Sequence, residues 1–146
     1  TLALGDGRYL AESNAILLCL AEGTGFIPND PWQRSKVHEW LFFEQYSHEP
    51  NISTPRFWKN YLRVGEYDEL ELKRRQRAGR DALRVMERHL RENKFFGSQY
   101  GVADIALYAY THKANEAGQA ISDFPAIEDW LARVRVQPGH VTMEVV

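Results

Sequence analysis

The sequence predicts a mostly α protein, in which a β-hairpin and one helix are followed by a linker and an all-helical unit. Three observations predict it. Asp6-Gly7 sits between two short apolar runs, a strong short-range signal for a hairpin. Residues 23–31, rich in Gly, Pro, Asn and Asp, have the composition of a linker. From Pro31 onward apolar residues recur at the three- and four-residue spacing of helices that face a core.

Thr1-Leu2-Ala3-Leu4 and Arg8-Tyr9-Leu10-Ala11 are the two expected strands, joined through Gly5-Asp6-Gly7. Two strands alone are marginal in water, so the apolar opening at Thr1 reads as the middle of a longer protein. Ser13 is placed to cap a helix over residues 14–22 whose apolar residues leave hardly any polar face, so this helix is expected between two layers. Cys19 within it reads as a small buried hydrophobe rather than a reactive thiol.

After the linker, Asp30-Pro31 opens a helix whose apolar stripe runs from Val37 through Trp40, Leu41 and Phe43 to Tyr46. Pro50 and Pro55 interrupt it, leaving either a kinked continuation or a second short helix, which Gly65 ends. Residues 67–91 form a long amphipathic helix with Ala78, Ala82, Val85, Met86 and Leu90 inward. Seven arginines lie within residues 74–91, but interspersed Asp and Glu make this an ion-paired, solvated face rather than a phosphate patch. Val102 to Tyr110 is apolar on every side except at Asp104, so it must be enclosed at the centre of the fold. Gly101 is its N-cap, and Asp104 can reach back to a free backbone N–H. A last helix starts at Asp123-Phe124-Pro125, buries Ile127, Trp130, Leu131 and Val134, and stops at Pro138-Gly139.

Composition sets bounds on function. With 44% apolar residues the 146-residue chain can bury a real core, and a net charge of −2 gives no broad electrostatic footprint for nucleic acid or an anionic membrane. One cysteine cannot form an internal disulfide, and no apolar run approaches the length of a membrane span. The five histidines are scattered, and His48-Glu49-Pro50 is no zinc motif because Pro50 is expected to break the helix. No phosphate loop, nucleophile elbow or metal set is found. The one place with chemistry in its favour is Glu12-Ser13 at a helix start. A hydroxyl, free N–H groups and the positive dipole end suit an anion, and Glu12 beside them can take an ammonium. Such a pair fits a zwitterionic amino-acid headgroup, although serine before a helix can also be only a cap.

The order of these elements, with Asp6-Gly7-Arg8-Tyr9-Leu10-Ala11-Glu12-Ser13-Asn14-Ala15-Ile16, resembles a cytosolic-type bacterial glutathione S-transferase. Trp40-Leu41-Phe42-Phe43-Glu44-Gln45, Val102-Ala103-Asp104-Ile105-Ala106 and Pro125-Ala126-Ile127-Glu128-Asp129-Trp130-Leu131 carry similar text in the same order. The resemblance implies that residues 1–22 are the end of a thioredoxin-like glutathione-binding domain, 23–30 a linker, and 31–146 the helical C-terminal domain. It implies that Ser13 holds the carboxylate and Glu12 the ammonium of the γ-glutamyl end of glutathione.

The implied reaction is attack of the glutathione thiolate on an apolar electrophile, with aromatic side chains between Val37 and Tyr61 as candidates for the electrophile pocket. The family's thiol-activating Ser, Tyr or Cys belongs ahead of Thr1, so no catalytic residue is assigned. The resemblance further implies a cytoplasmic homodimer needing glutathione but no metal, nucleic acid or membrane. Two other readings stay open: a non-catalytic scaffold of the same fold, and a glutathione-dependent thiol reductase or isomerase. Gly101 departs from the Ser or Thr usual in the family, and Gly101→Ser is expected to gain a few tenths of a kcal/mol.

Overall fold

The computed structural model describes residues 1–141. Its elements are β1 (Leu2–Ala3), β2 (Tyr9–Leu10), α1 (Ser13–Ala21), α2 (Pro31–Phe43), a π-turn (Glu44–His48), α3 (Glu49–Tyr61), α4 (Glu69–Leu90), α5 (Val102–Thr111) and α6 (Pro125–Arg135). Two 3-10 turns, Ala114–Ala117 and Ile121–Asp123, join α5 to α6. The hairpin is antiparallel, with Leu2 opposite Leu10 and Ala3 opposite Tyr9. Asp6 fixes its turn by accepting from the Arg8 backbone N–H at 3.1 Å and from Arg8 Nε at 2.7 Å.

The proline-bearing region resolves as one long helical path. Of the two alternatives left by the sequence the continuation holds, and Pro50 does not break the helix as the reading of His48-Glu49-Pro50 supposed. Pro50 has no N–H to give to Tyr46, and the Glu49 N–H instead reaches the Glu44 carbonyl, which widens one turn to a π-turn. Pro50 then sits in the first turn of α3, where a missing donor costs nothing, and Pro55 lies inside α3. Pro55 leaves the Asn51 carbonyl without a helical donor, and that carbonyl faces Gly79 on the crossing helix α4.

Helix α4 starts two residues later than the sequence suggested, because Asp68 is its cap and accepts from Leu70 N at 2.8 Å. Ala82, Met86 and Leu90 are buried as expected, whereas Ala78 and Val85 are only half-buried and Leu72, Leu83 and Glu87 are buried instead. The arginines are largely ion-paired: Arg74 and Arg75 to Glu71, Arg80 to Asp123, Arg84 to Asp81 and Arg91 to Glu87.

Helix α5 is the centre. Val102, Ala103, Leu107 and Asp104 are almost fully buried, among Trp130, Ile127, Phe96 and Met86 from the surrounding elements. Asp104 ties three segments together, accepting from Gly101 N at 3.1 Å, Phe96 N at 3.1 Å and Trp130 Nε1 at 2.9 Å. Burial still holds its carboxyl well above the ordinary range, at about 6, against the opposing pull of those donors. Helix α6 has no capping side chain of its own, since Phe124 stands at its cap position. Glu87 of α4 supplies one, accepting from Ile127 N at 3.1 Å.

The first helix differs most from expectation. Ala21 alone in α1 is buried, Asn14 to Leu18 are half-buried, and Cys19 and Leu20 are exposed. Cys19 is therefore not the core residue that the sequence suggested. Among the described residues α1 is covered on one side, by the helical unit, and not on both.

Candidate functional site

The hairpin delivers the chain into α1 through one unusual residue. Glu12 has φ 67° and ψ 118°, and it is the one non-glycine residue with positive φ among those described. A conformation so sparsely populated costs on the order of 1–3 kcal/mol and persists where surrounding structure imposes it. Ser13 was expected to be the helix cap. The structure places Glu12 there instead, with Ser13 as the first helical residue and no side-chain hydrogen bond closing the turn. The first intrahelical bond runs from Ile16 N to the Glu12 carbonyl at 2.9 Å. The N–H groups of Ser13, Asn14 and Ala15 therefore point out of the helix end with no intrahelical acceptor. Both Glu12 and Ser13 are exposed.

Asn14, which the sequence reading passed over, anchors this turn to the helical unit. Its amide donates to the Leu41 carbonyl at 3.1 Å and to Glu44 Oε2 at 2.9 Å. Glu44 opens the π-turn and is 5% exposed. Burial raises its carboxyl above the usual range, the Asn14 bond pulls the other way, and nearby Glu49 adds to the rise. Asn and Glu with no sequence pattern between them gave no signal for this contact, because it is made across 30 residues.

Glu12, Ser13 and Asn14 line a cleft of about 640 Å³ between α1, the π-turn and α5. Ile16, Leu17, Ile105 and Ala109 give it apolar lining, and Glu44, Gln45, Glu49 and Tyr110 add polar groups. Partial burial, followed by the charges of Glu49 and Glu44, raises the Tyr110 hydroxyl, with Arg56 opposing, so it stays a proton donor at neutral pH. A narrower groove of about 350 Å³ lies between α1 and α2, with Leu18, His38, Leu41 and exposed Phe42 along it.

The aromatic residues between Val37 and Tyr61 divide into two kinds. Trp40 is buried against Phe43, His89 and Phe96 and belongs to the core. Phe42, Tyr46, Phe57 and Tyr61 are exposed, and the last two stack at 5.5 Å. His48 is fully buried rather than available to a ligand. Its Nε2–H donates to Thr111 Oγ1 at 2.9 Å, since that hydroxyl gives its own proton to the Leu107 carbonyl at 2.6 Å. Burial lowers the His48 imidazole to about 3, so it is neutral. Among the described residues no group of three or more His, Cys, Asp or Glu could hold a metal ion, and no helix is long and apolar enough to cross a membrane.

Residues 69–133 match the model of the glutathione S-transferase C-terminal domain. The structure is similar to that of a glutathione S-transferase from Pseudomonas fluorescens, with 46% identity, a TM-score of 0.91, and coverage of 96% of this chain and 70% of that one. It is also similar to a glutathione transferase from Burkholderia graminis solved with two glutathione molecules per subunit: 31% identity, TM-score 0.81, 92% of this chain and 60% of that one. In sequence it is 26% identical over 137 residues to the disulfide-bond oxidoreductase YfcG of Escherichia coli. That alignment takes in 92% of this chain and 63% of the relative, so the chain spans under two thirds of the relative's length. A two-strand hairpin, an apolar helix and an enclosed α5 pinned by Asp104, together with 46% identity over nearly the whole chain, establish that this protein belongs to the glutathione S-transferase family.

Proposed function

We propose that this protein conjugates the thiolate of glutathione to an electrophilic, largely apolar small molecule. The carrying observation is the Glu12-Ser13 turn, held strained and exposed on a cleft whose lining includes Ile16, Leu17, Ile105 and Ala109. In this reading Ser13 binds the γ-glutamyl carboxylate through its hydroxyl and its N–H at the helix end, and Glu12 takes the ammonium. Glutathione bound by a relative of 31% identity supports the choice of ligand. These apolar residues and the protonated Tyr110 hydroxyl suit an electrophile with one hydrogen-bond acceptor. The reaction forms a carbon–sulfur bond, expels the electrophile's leaving group, and gives the thiol proton to solvent. Stabilisation of the thiolate, so that it forms near neutral pH, is the energetic core of that step.

The reading carries its domain assignment with it: residues 1–22 as glutathione-binding, 23–30 as linker and 31–146 as helical domain, of which 142–146 lie outside the described residues. It also carries a cytoplasmic homodimer. The apolar groove beside exposed Phe42 supports a face that a second subunit covers. A disulfide-reducing activity is the second reading, favoured by the sequence likeness to a disulfide-bond oxidoreductase.

Two assays on the full-length protein separate these readings. One follows the S-aryl product from glutathione and chlorodinitrobenzene, and the other follows reduction of a glutathione mixed disulfide. Conjugation exceeding disulfide turnover supports the transferase. Disulfide turnover without conjugation supports the reductase, and failure of calorimetry to detect glutathione binding overturns both.

A further inference from the structure

Away from the cleft described above, the C-terminal half of α4 carries a second concavity that shares no lining residue with it. Arg77, Arg80, Arg84, Arg88 and Arg91 recur at spacings of three and four, which sets them in a row along one helix face. Four of them, Arg80 to Arg91, line a cleft of about 350 Å³ with Glu87, Asp123 and Phe124.

The charges there do not cancel. Four guanidiniums line the cleft, and three carboxylates, Glu87, Asp123 and Asp81, pair with them. Glu87 is 5% exposed and already occupied, with Oε2 on Ile127 N and Oε1 on Arg91 Nε. Asp123 is engaged with Arg80 at 2.7 Å. Arg84 pairs only with Asp81, both 61% exposed in their side chains, where solvent screens the pair. Arg88 is exposed and has no carboxylate partner among the described residues. The negative end of the α4 dipole accounts for a cation in its last turn, but not for a row that continues up the helix. A local positive surplus on a chain of net charge −2 is what needs explaining.

We propose that this cleft binds a small polyphosphate-bearing compound, with Arg84 and Arg88 as the principal ligands. The planar guanidinium fork matches phosphate oxygens two at a time, and neighbours on the row stand about one helical turn, roughly 5.4 Å, apart, so two of them can engage non-adjacent phosphoryl groups of one extended polyphosphate. Phe124 is 3% exposed beneath the Arg80 guanidinium, so it offers no face on which a base could stack. Recognition is therefore of the phosphates alone. Inorganic triphosphate and a nucleoside triphosphate bind alike, whatever the base.

The test is calorimetry on the full-length protein with inorganic triphosphate, at low and at physiological salt. The expected result is saturable binding with one site per chain, weakened by salt. The double variant Arg84→Gln/Arg88→Gln lowers affinity at least tenfold and leaves the melting temperature and glutathione affinity unchanged, since both side chains are exposed. Absence of binding overturns the proposal, as does binding that the double variant leaves intact. Affinity that rises steadily with the length of an RNA oligomer and is negligible for triphosphate also overturns it, because the occupant would then be a nucleic-acid backbone.

Discussion

The carbonyl oxygen of Phe26 in the linker stands 2.5 Å from the point where a β-carbon on Gly101 would lie. The same oxygen accepts the Val102 N–H at 3.0 Å, so the linker is bonded to the first turn of the central helix. Glycine is required here by close approach. The Gly101 backbone is itself ordinary extended chain, at φ −164°.

Gly101→Ser is therefore destabilising, and the small gain expected from better capping does not arise. The serine hydroxyl can cap only if its β-carbon fits, and the atom it meets is backbone that also holds Val102. Overpacking of this kind costs roughly 1–3 kcal/mol, against a few tenths for the cap. Thermal unfolding of Gly101→Ser and Gly101→Ala should show both below the parent by several degrees. A serine variant at or above the parent's melting temperature would refute the close approach.

Gly79→Ala makes the opposite case to helix propensity. In an exposed helix interior, alanine improves on glycine by up to about 1 kcal/mol. Here the added carbon meets the Asn51 carbonyl oxygen at 2.6 Å, at the crossing of α3 and α4. The two helices must separate, which also strains the bond from Arg75 to the Pro50 carbonyl at 2.9 Å. Denaturant titration should place Gly79→Ala at least 1 kcal/mol below the parent. Equal or greater stability would mean that the helices do not cross so closely.

The helical unit was legible because its signals are local: Asp30 before Pro31, the apolar run after Gly101, and Asp104 three residues on. What escaped was carried by contacts across long sequence separations. Glu87 reads as one more surface acid on α4, yet it caps α6 40 residues away. Pro50 reads as a helix breaker because the π-turn that absorbs it has no sequence signature. Gly101 reads as a weak cap because the linker carbonyl that excludes a side chain is far off in sequence. At the candidate site, Glu12-Ser13 was legible as a helix start, but the positive φ of Glu12 and the Asn14–Glu44 anchor were not.

Two buried groups give stability opposite dependences on pH. Asp104 has a folded value of about 6, raised from 3.8, so the folded state holds a proton that the unfolded state has released. Its contribution is full below about pH 4 and is lost as pH rises through 6. His48 is depressed to about 3 from 6.5, so the unfolded state binds the proton first. Its contribution is full above about pH 6.5 and is lost as pH falls towards 3. Asp104→Asn should therefore lose most relative to the parent at pH 4, with the deficit shrinking by pH 7. His48→Gln should show its largest deficit at pH 7. Deficits that do not change with pH would show that neither group is shifted.

Glu12 and Ser13 offer the sharpest separation of ligand binding from folding. Had Ser13 been the cap, Ser13→Ala would have cost about 1 kcal/mol and blurred any binding defect. As the first helical residue, with no side-chain bond closing the turn, Ser13 can be changed to alanine at little cost to stability. A hydrogen bond to a charged group contributes roughly 1.5–3 kcal/mol, so Ser13→Ala should weaken glutathione about ten- to a hundredfold in the full-length protein. Ser13→Asp should weaken it further, because the new carboxylate repels that of the ligand while an acid in the first turn favours the helix. Glu12→Gly moves the two properties apart. Glycine adopts φ 67° without strain, so melting temperature should rise, while loss of the ammonium's partner should lower glutathione affinity. Calorimetry and thermal unfolding on the three variants decide the matter. If all three bind glutathione as the parent does, the turn is a strained piece of scaffold and the headgroup is held elsewhere.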